Sequence, residues 1–309
     1  MATAPPPKVR PPAPWGPFQI PKPLQQLFSH FPLRTLEPND LPARSQYLTT
    51  SDLPTLYIFA TEDDALLGLP SFNPTCLKYQ TLLRCAGIQF RTLPSTNHAS
   101  PTGSLPFLLP PRSGCSAAAV QPIPSSSLLA YTAKHSEKKK EQQQPSLREE
   151  AYLSLLTPLR NAFLYTLYLD EHYTPLLNNW YIFPSTSSVL VQKTLRFQLR
   201  QAAAASILSS QGQHPSAGRE QIDREAIFAA AGEALRALEE LLGESQTGYF
   251  FGRETPGEFD AGVFAYLFPM IRHFSDYPLG EMVRNAGKGG ELVRFCERVK
   301  REAGWRNVV

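Results

Sequence analysis

TGYFFGRETPGEFDAGVFAYL, residues 247–267, joins two kinds of sequence. A glycine-punctuated aromatic loop runs into an apolar helix, and one carboxylate, Asp260, stands where that helix begins. Gly257, three residues earlier, falls at the N-cap. Glycine there loses only a few tenths of a kcal/mol against serine or threonine. Asp260 faces the positive end of the helix dipole, so its role is structural rather than catalytic. The apolar run continues from Ala261 to Ile271. Membrane-spanning helices need about 18 apolar residues or more, so this run describes a core helix.

Composition narrows the classes further. The chain has 309 residues, 42% of them hydrophobic, which is enough for two domains with proper cores. A net charge of +3 lacks the basic excess of a nucleic-acid binder. Cys76, Cys85, Cys115 and Cys296 form no CxxC pair, and no His/Cys cluster has metal-ligand spacing. They describe reduced, mostly buried thiols. The six histidines, His30, His98, His135, His172, His214 and His273, are scattered, with no paired acid or nucleophile. The residues thus specify no metal and no cofactor. No secretory signal opens the chain. Lys8, Arg10 and Lys22 with no early acid hint at a transit peptide, but the prolines prevent the helix such a peptide needs.

Twelve of the 30 prolines lie in residues 1–50. This segment is expected to be extended, with polyproline II character. It carries Trp15, Phe18, Ile20, Leu24, Leu27 and Phe28, more large apolar groups than a solvated tail needs. Two readings stay open: they pack on this protein's own surface, or they drape over a partner. Beyond the arm, TLYIFA (55–60) reads as a buried strand, followed by a loop, TEDDALLGLPSF. Asn73 and Pro74 mark the N-cap and first position of a helix, Cys76, Tyr79, Leu83 and Ala86 trace its buried face, and Gly87 stops it. IQFRTL (88–93) alternates like a second strand. Leu105-Pro106 opens a third, AAAVQPIP contains a short fourth, and Ser125–Ser127 cap a helix through Ala133.

Residues 134–150 are charged and glutamine-rich, a solvated linker, and Ser146 with Glu149 forms a capping box before the next apolar run. The rest reads as helical. Tyr152, Leu155, Leu159, Phe163 and Leu167 share a face, with a kink at Pro158. Further helices span Val189–Leu208, Ile222–Leu242 with Gly243 as its stop, and 289–305. A mobile loop is expected over 209–220. The expected organisation is a proline-rich extension (1–50), a small mixed α/β domain (51–134), a charged linker (135–148) and an all-helical domain (149–309).

This order resembles the glutathione-transferase-like fold, a thioredoxin-like domain followed by an all-α helical domain. SLPFLL resembles the thioredoxin-type strand whose proline follows a cis peptide, which implies a cis bond before Pro106. SSSLLAYTAK resembles the segment that opens the next helix, and YFFGRETPGEFDAGVFAYL resembles the signature of the second domain. A narrower likeness is to metaxins. LGLPSFNPTCLKYQTLLRCAGIQF is similar to their opening, and YFFG…P…FDA.VFAYL and LVRFCERV to later segments, so the likeness covers most of residues 52–303.

Metaxins and their fungal counterparts are cytosol-facing subunits of the mitochondrial outer-membrane sorting and assembly machinery. The resemblance therefore implies a peripheral protein with three partners: a barrel-forming outer-membrane subunit, a second metaxin-like subunit, and β-barrel precursors. The larger fungal subunit has extra C-terminal sequence, often with an anchor. This sequence ends soon after its last helix and so resembles the smaller one. A glutathione transferase with an atypical active site is the alternative. Such enzymes place a hydroxyl or thiol at the first strand–helix junction to activate the cofactor thiol. Thr61 and Ser71 offer hydroxyls here, but Asp63 and Asp64 oppose a thiolate, and Cys76 falls on the buried face. The enzymes' acid–serine pair for the γ-glutamyl end would fall at Ser125-Ser126. There the acid is missing, a charge-assisted bond of about 1.5–3 kcal/mol. Both absences favour a non-catalytic protein.

Overall fold

The computed structural model describes residues 52–111, 121–136, 147–213, 222–287 and 289–305. The apolar run at Thr55 forms β1 (Thr55–Ile58). The segment expected to be a loop contains a short helix, α1 (Glu62–Leu66). Thr61 caps it, its Oγ1 accepting the Asp64 N–H at 3.1 Å. Glu62, Asp63 and Asp64 fill the first turn, where carboxylates suit the helix dipole. Five residues are too few for a periodic pattern, so the cap and the acidic first turn are the signals of this helix in the sequence.

Helix α2 (Pro74–Cys85) is capped by Asn73 as the sequence predicts, Oδ1 accepting the Cys76 N–H at 3.2 Å. Gly87, at φ +79°, ends it. Strand β2 (Arg91–Pro94) starts later than the alternation suggests. The reason is local, since the Ile88 N–H still bonds back to the Leu83 carbonyl of the helix end. Strands β3 (Phe107–Leu109) and β4 (Ile123–Pro124) follow. The order across the sheet is β2-β1-β3-β4, with β1 and β2 parallel and the other pairs antiparallel. Tyr57 stacks on Phe107 across the β1–β3 pair, ring centroids 4.5 Å apart. The Leu105–Pro106 bond before β3 is cis. Helix α3 (Ser125–His135) begins at Ser125, but Pro124 occupies its N-cap and no serine side chain caps it.

The helical half opens with α4 (Leu147–Tyr152), a 3₁₀ turn at Leu153–Leu155, and α5 (Leu156–Leu164). Tightening one turn ahead of Pro158 is the response to its missing N–H, which leaves the Ser154 carbonyl without an α-helical donor. The capping-box residue Ser146 lies outside the described residues. Glu149 is buried and pairs with Arg253 at 2.5 Å. Next come a π-helical turn (Tyr165–Leu169), the short α6 (Thr174–Leu177) and a second π-helical turn (Asn178–Ile182). Then follow α7 (Val189–Ser210), α8 (Arg224–Gly243), α9 (Glu258–His273), α10 (Pro278–Arg284) and α11 (Glu291–Glu302). Ile227, Ala231, Leu235, Leu238 and Leu242 of α8 are buried as their spacing predicts. Gly243 is helical rather than the stop, and Glu244 takes the C-cap. Helix α11 takes its acceptor from a neighbour, as the Glu239 carboxylate receives the N–H groups of Glu291 and Leu292 at 2.8 and 2.9 Å.

Helix α9 runs through the core of the helical half. Phe259 through Ala265 and Leu267 through Met270 are buried, and the helix packs against α2 and α5. A Cβ at Gly262 would come 3.2 Å from Leu156 Cδ1, so glycine lets α5 approach. Asp260 is fully buried at the helix start. Its Oδ2 accepts the Gly257 N–H and its Oδ1 the Phe250 N–H, both at 2.9 Å. The carboxylate thus closes its own helix and also holds the preceding loop, where Phe251 sits at φ +60°.

Burial pushes the Asp260 carboxyl up from 3.8 to about 6, against the pull of those two N–H groups. A carboxyl whose pKa rises on folding favours the folded state most below its unfolded value. That contribution is lost as pH rises through the folded value. Asp260 therefore lowers stability by about 3 kcal/mol between pH 3.8 and about 6. Denaturant titrations across that range should show this loss as a difference in pH dependence between the wild type and Asp260→Asn. Asp260→Ala strands two buried N–H groups, and the same titrations at neutral pH should show a loss of about 2–5 kcal/mol.

Candidate functional site

The connection from β1 to α2 is where an enzyme of this fold class would hold a reactive group, so its geometry decides the chemistry available. Ser71 is buried and fully engaged. Its Oγ donates to the Phe59 carbonyl and accepts the Asn73 N–H at 3.2 Å, while its N–H donates to Gln80 Oε1 at 2.9 Å. Gln80 in turn donates to the Leu69 carbonyl at 2.8 Å. Thr61 is exposed and caps α1. Cys76 is fully buried beside Phe59, whose N–H lies 3.5 Å from Sγ. Burial pushes its thiol up to about 12, the reverse of what a thiolate nucleophile needs.

Aromatic side chains from the second π-helical turn cover this junction. Trp180 stacks on Phe72 with centroids 4.6 Å apart, and Tyr181 meets Phe72 and Phe59 edge-on at 5.3 and 5.1 Å. Asn73 Nδ2 donates to Tyr181 Oη at 3.0 Å, so one residue caps α2 through its oxygen and holds the cover through its nitrogen. Tyr168 packs behind Tyr181, and His273 of α9 meets Trp180 edge-on at 4.8 Å. Burial raises the phenols of Tyr168 and Tyr181 and lowers His273 to about 4. At neutral pH the whole cluster is therefore uncharged. Sequence reasoning misses the residues that build it, because NNWYIF (178–183) follows no amphipathic period. The one signal is its aromatic density.

The other predicted residues fall as follows. Pro106, Gly257 and Asp260 occupy the structural positions described above. Ser125 and Ser126 lie at the start of α3, half-buried and exposed. Trp15, Phe18, Ile20, Leu24 and Phe28 lie outside the described residues. So does Cys115, whereas Cys76, Cys85 and Cys296 are buried. Among the described residues, no group of three or more His, Cys, Asp or Glu side chains is placed to hold a metal, and no helix is long and apolar enough to cross a membrane. On the outside of the β1–α2 connection, α1 presents its three acids beside Leu66 and Leu67, which are 85% and 69% exposed.

This architecture is the glutathione-transferase-like fold. Residues 74–173 match a family model described as glutathione S-transferase N-terminal domain, and residues 231–299 match glutathione S-transferase, C-terminal domain. The first match opens at α2 and does not include β1 or its junction. Among solved structures, glutathione transferase GSTFuA2 from Phanerochaete chrysosporium superposes with a TM-score of 0.53 at 12% identity, over 82% of this chain and 99% of that one. GSTFuA3 from the same organism gives 0.50 at 13%, over 81% and 97%. At such identities the likeness concerns the fold alone. In sequence the chain is similar to metaxins. It is 29% identical to Metaxin-3 of Xenopus laevis over 240 residues, 75% of this chain and 72% of that protein. It is also 29% identical to Metaxin-3 of Danio rerio over 151 residues, 48% of this chain and 46% of that protein.

Two measurements test this junction. A thiol reagent at pH 8 should leave Cys76 unmodified in the native protein and modify it on unfolding, as peptide mapping would reveal. Tyr181→Phe removes the acceptor of the Asn73 amide and should cost about 1 kcal/mol in a denaturant melt, and Tyr181→Ala about 3–5 kcal/mol.

Proposed function

We propose that this protein is a non-catalytic subunit of the mitochondrial outer-membrane sorting and assembly complex. In this reading it docks on the cytosolic face of the barrel-forming subunit, beside a second metaxin-like subunit, and helps to receive β-barrel precursors through their sorting signal. The observation that carries the non-catalytic part is the aromatic cover of the β1–α2 junction. Tyr181 and Trp180 occupy the side of Phe72 and Asn73 that faces the helical half, and Asn73 is bonded to Tyr181 rather than open to a ligand. The nearest thiol, Cys76, is held protonated by burial. A transferase needs the opposite at this place, a free hydroxyl or thiol beside room for a cofactor. The similarity to Metaxin-3 supports the mitochondrial part. Binding of a precursor strand would draw on sheet-edge or apolar-groove recognition, as extended peptides do.

The test is fractionation of cells that make the tagged protein, followed by a mild-detergent pull-down. Recovery on the mitochondrial surface with a membrane barrel protein and a second metaxin-like chain is the expected result. A chain found only in the cytosol with neither partner would refute it. Calorimetric titration with glutathione addresses the transferase alternative. No heat of binding is expected, and saturable binding abolished by Ser125→Ala with Ser126→Ala would restore that alternative.

A further inference from the structure

Helix α7 carries one apolar stripe that the fold covers only in part. Leu190, Phe197, Ala204 and Leu208 are spaced seven, seven and four residues apart, which keeps them within a narrow arc of the helix. Ala204 and Leu208 are buried, at 5% and 1% exposure. Leu190 and Phe197, on the same arc, are 76% and 66% exposed. The arc also holds the polar Thr194 and Gln201, so beyond the edge of the core its apolar groups are Phe197 and Leu190, two turns apart. Phe183, Val189 and Val191 are exposed around it. Five of the eleven large apolar side chains exposed among the described residues thus fall within residues 183–197. That concentration is a patch rather than scatter.

Along the sequence the charge beside the patch has one sign. From His172 to Arg219 the sequence contains no Asp or Glu, while it contains Lys193, Arg196, Arg200 and Arg219. Lys193 is exposed, between Leu190 and Phe197 in sequence. Arg196 donates to Asn178 Oδ1 at 3.0 Å, a neutral acceptor that ties α7 to the second π-helical turn and leaves the positive charge in place. One turn on, Arg200 ties the helix to the first π-helical turn through the carbonyls of Tyr168 and Leu169, at 2.8 and 3.0 Å. Arg196 is held by a neutral acceptor and keeps its full charge, so it and Lys193 both add positive charge beside the exposed apolar side chains. Positive charge beside exposed leucine, valine and phenylalanine suits an anionic lipid surface, where headgroups attract and side chains enter the acyl boundary.

We propose that the N-terminal half of α7, with Phe183, is a membrane-contacting surface. It lies against anionic phospholipid with Leu190 and Phe197 inserted and Lys193 at the headgroups. This goes beyond the proposed place in an assembly complex and does not depend on it, because it concerns a direct contact with lipid. The test is flotation of the purified full chain with vesicles of phosphatidylcholine, alone or with phosphatidylinositol. The protein should float with the mixed vesicles, less so as salt rises, and should stay behind with phosphatidylcholine alone. Leu190→Ser with Phe197→Ser should reduce flotation roughly tenfold or more. Lys193→Glu should reduce it by a smaller factor, and both variants should melt at the wild-type temperature because the altered side chains are exposed. No flotation of the wild type, equal flotation with both vesicles, or undiminished flotation of the paired variant would each overturn the proposal. So would protection of α7 from hydrogen exchange by a partner protein but not by vesicles. None of these outcomes changes which chains a detergent pull-down recovers, so this proposal and the proposed function fail separately.

Discussion

The buried carboxylate of Asp260 is the constraint on which the helical half depends. It accepts the Phe250 and Gly257 N–H groups, and so fixes both the start of α9 and the path of the loop that delivers it. Phe250, held in this way, packs against Phe259 and Phe295 and joins α9 to α11. Helix α9 then serves as the wall on which α2 from the sheet domain and α5 from the helical domain both rest. A glycine at the cap costs little here, because the loop is tied from the aspartate's second oxygen instead of from a cap hydroxyl.

The two halves are joined by polar ties at well-separated places. Arg84 of α2 donates to the Gly68 and Ala303 carbonyls, and the Trp305 indole N–H reaches the same Gly68 carbonyl at 2.9 Å. The Arg84 guanidinium also lies over the Trp305 ring. Burial lowers the Arg84 pKa, so its carbonyl partners matter for keeping the charge inside. Lys78 pairs with Glu258 at the start of α9, and Asn73 reaches Tyr181. With α2 held at its beginning, middle and end, the sheet domain has little freedom to swing open from the helices.

That rigidity bears on what the protein does. A catalytic junction needs an accessible group whose protonation state is tuned towards reaction. At this junction the titratable groups are tuned away from it. The Cys76 thiol and the Tyr181 phenol are raised and His273 is lowered, and burial is the largest cause in each case. Features that can meet other molecules lie on the outside instead, as the acidic, leucine-tipped α1 and the basic, apolar start of α7. The fold is that of a transferase family, while its polar chemistry is directed to holding the fold together. This supports the non-catalytic role proposed above.

Much of this was legible in the chain. Asn73-Pro74 with Gly87 located α2 almost to the residue, the spacing in α8 named its buried face, and the order of elements indicated the sheet and the bundle. These are local matters, set by capping chemistry and by the period of apolar residues. Other features depended on residues far apart in sequence. The sequence could not show that Asn73 would meet Tyr181, 108 positions away. Nor could it show that Glu239 would cap α11, or that Asp260 would reach back to Phe250 as well as Gly257. The π-helical turns that aim Trp180 and Tyr181 at the junction leave no periodic trace. The apolar residues on one arc of α7 look alike along the sequence. Only the edge of the packed core separates its buried half from its bare one, because burial belongs to the assembled neighbours and not to the residue.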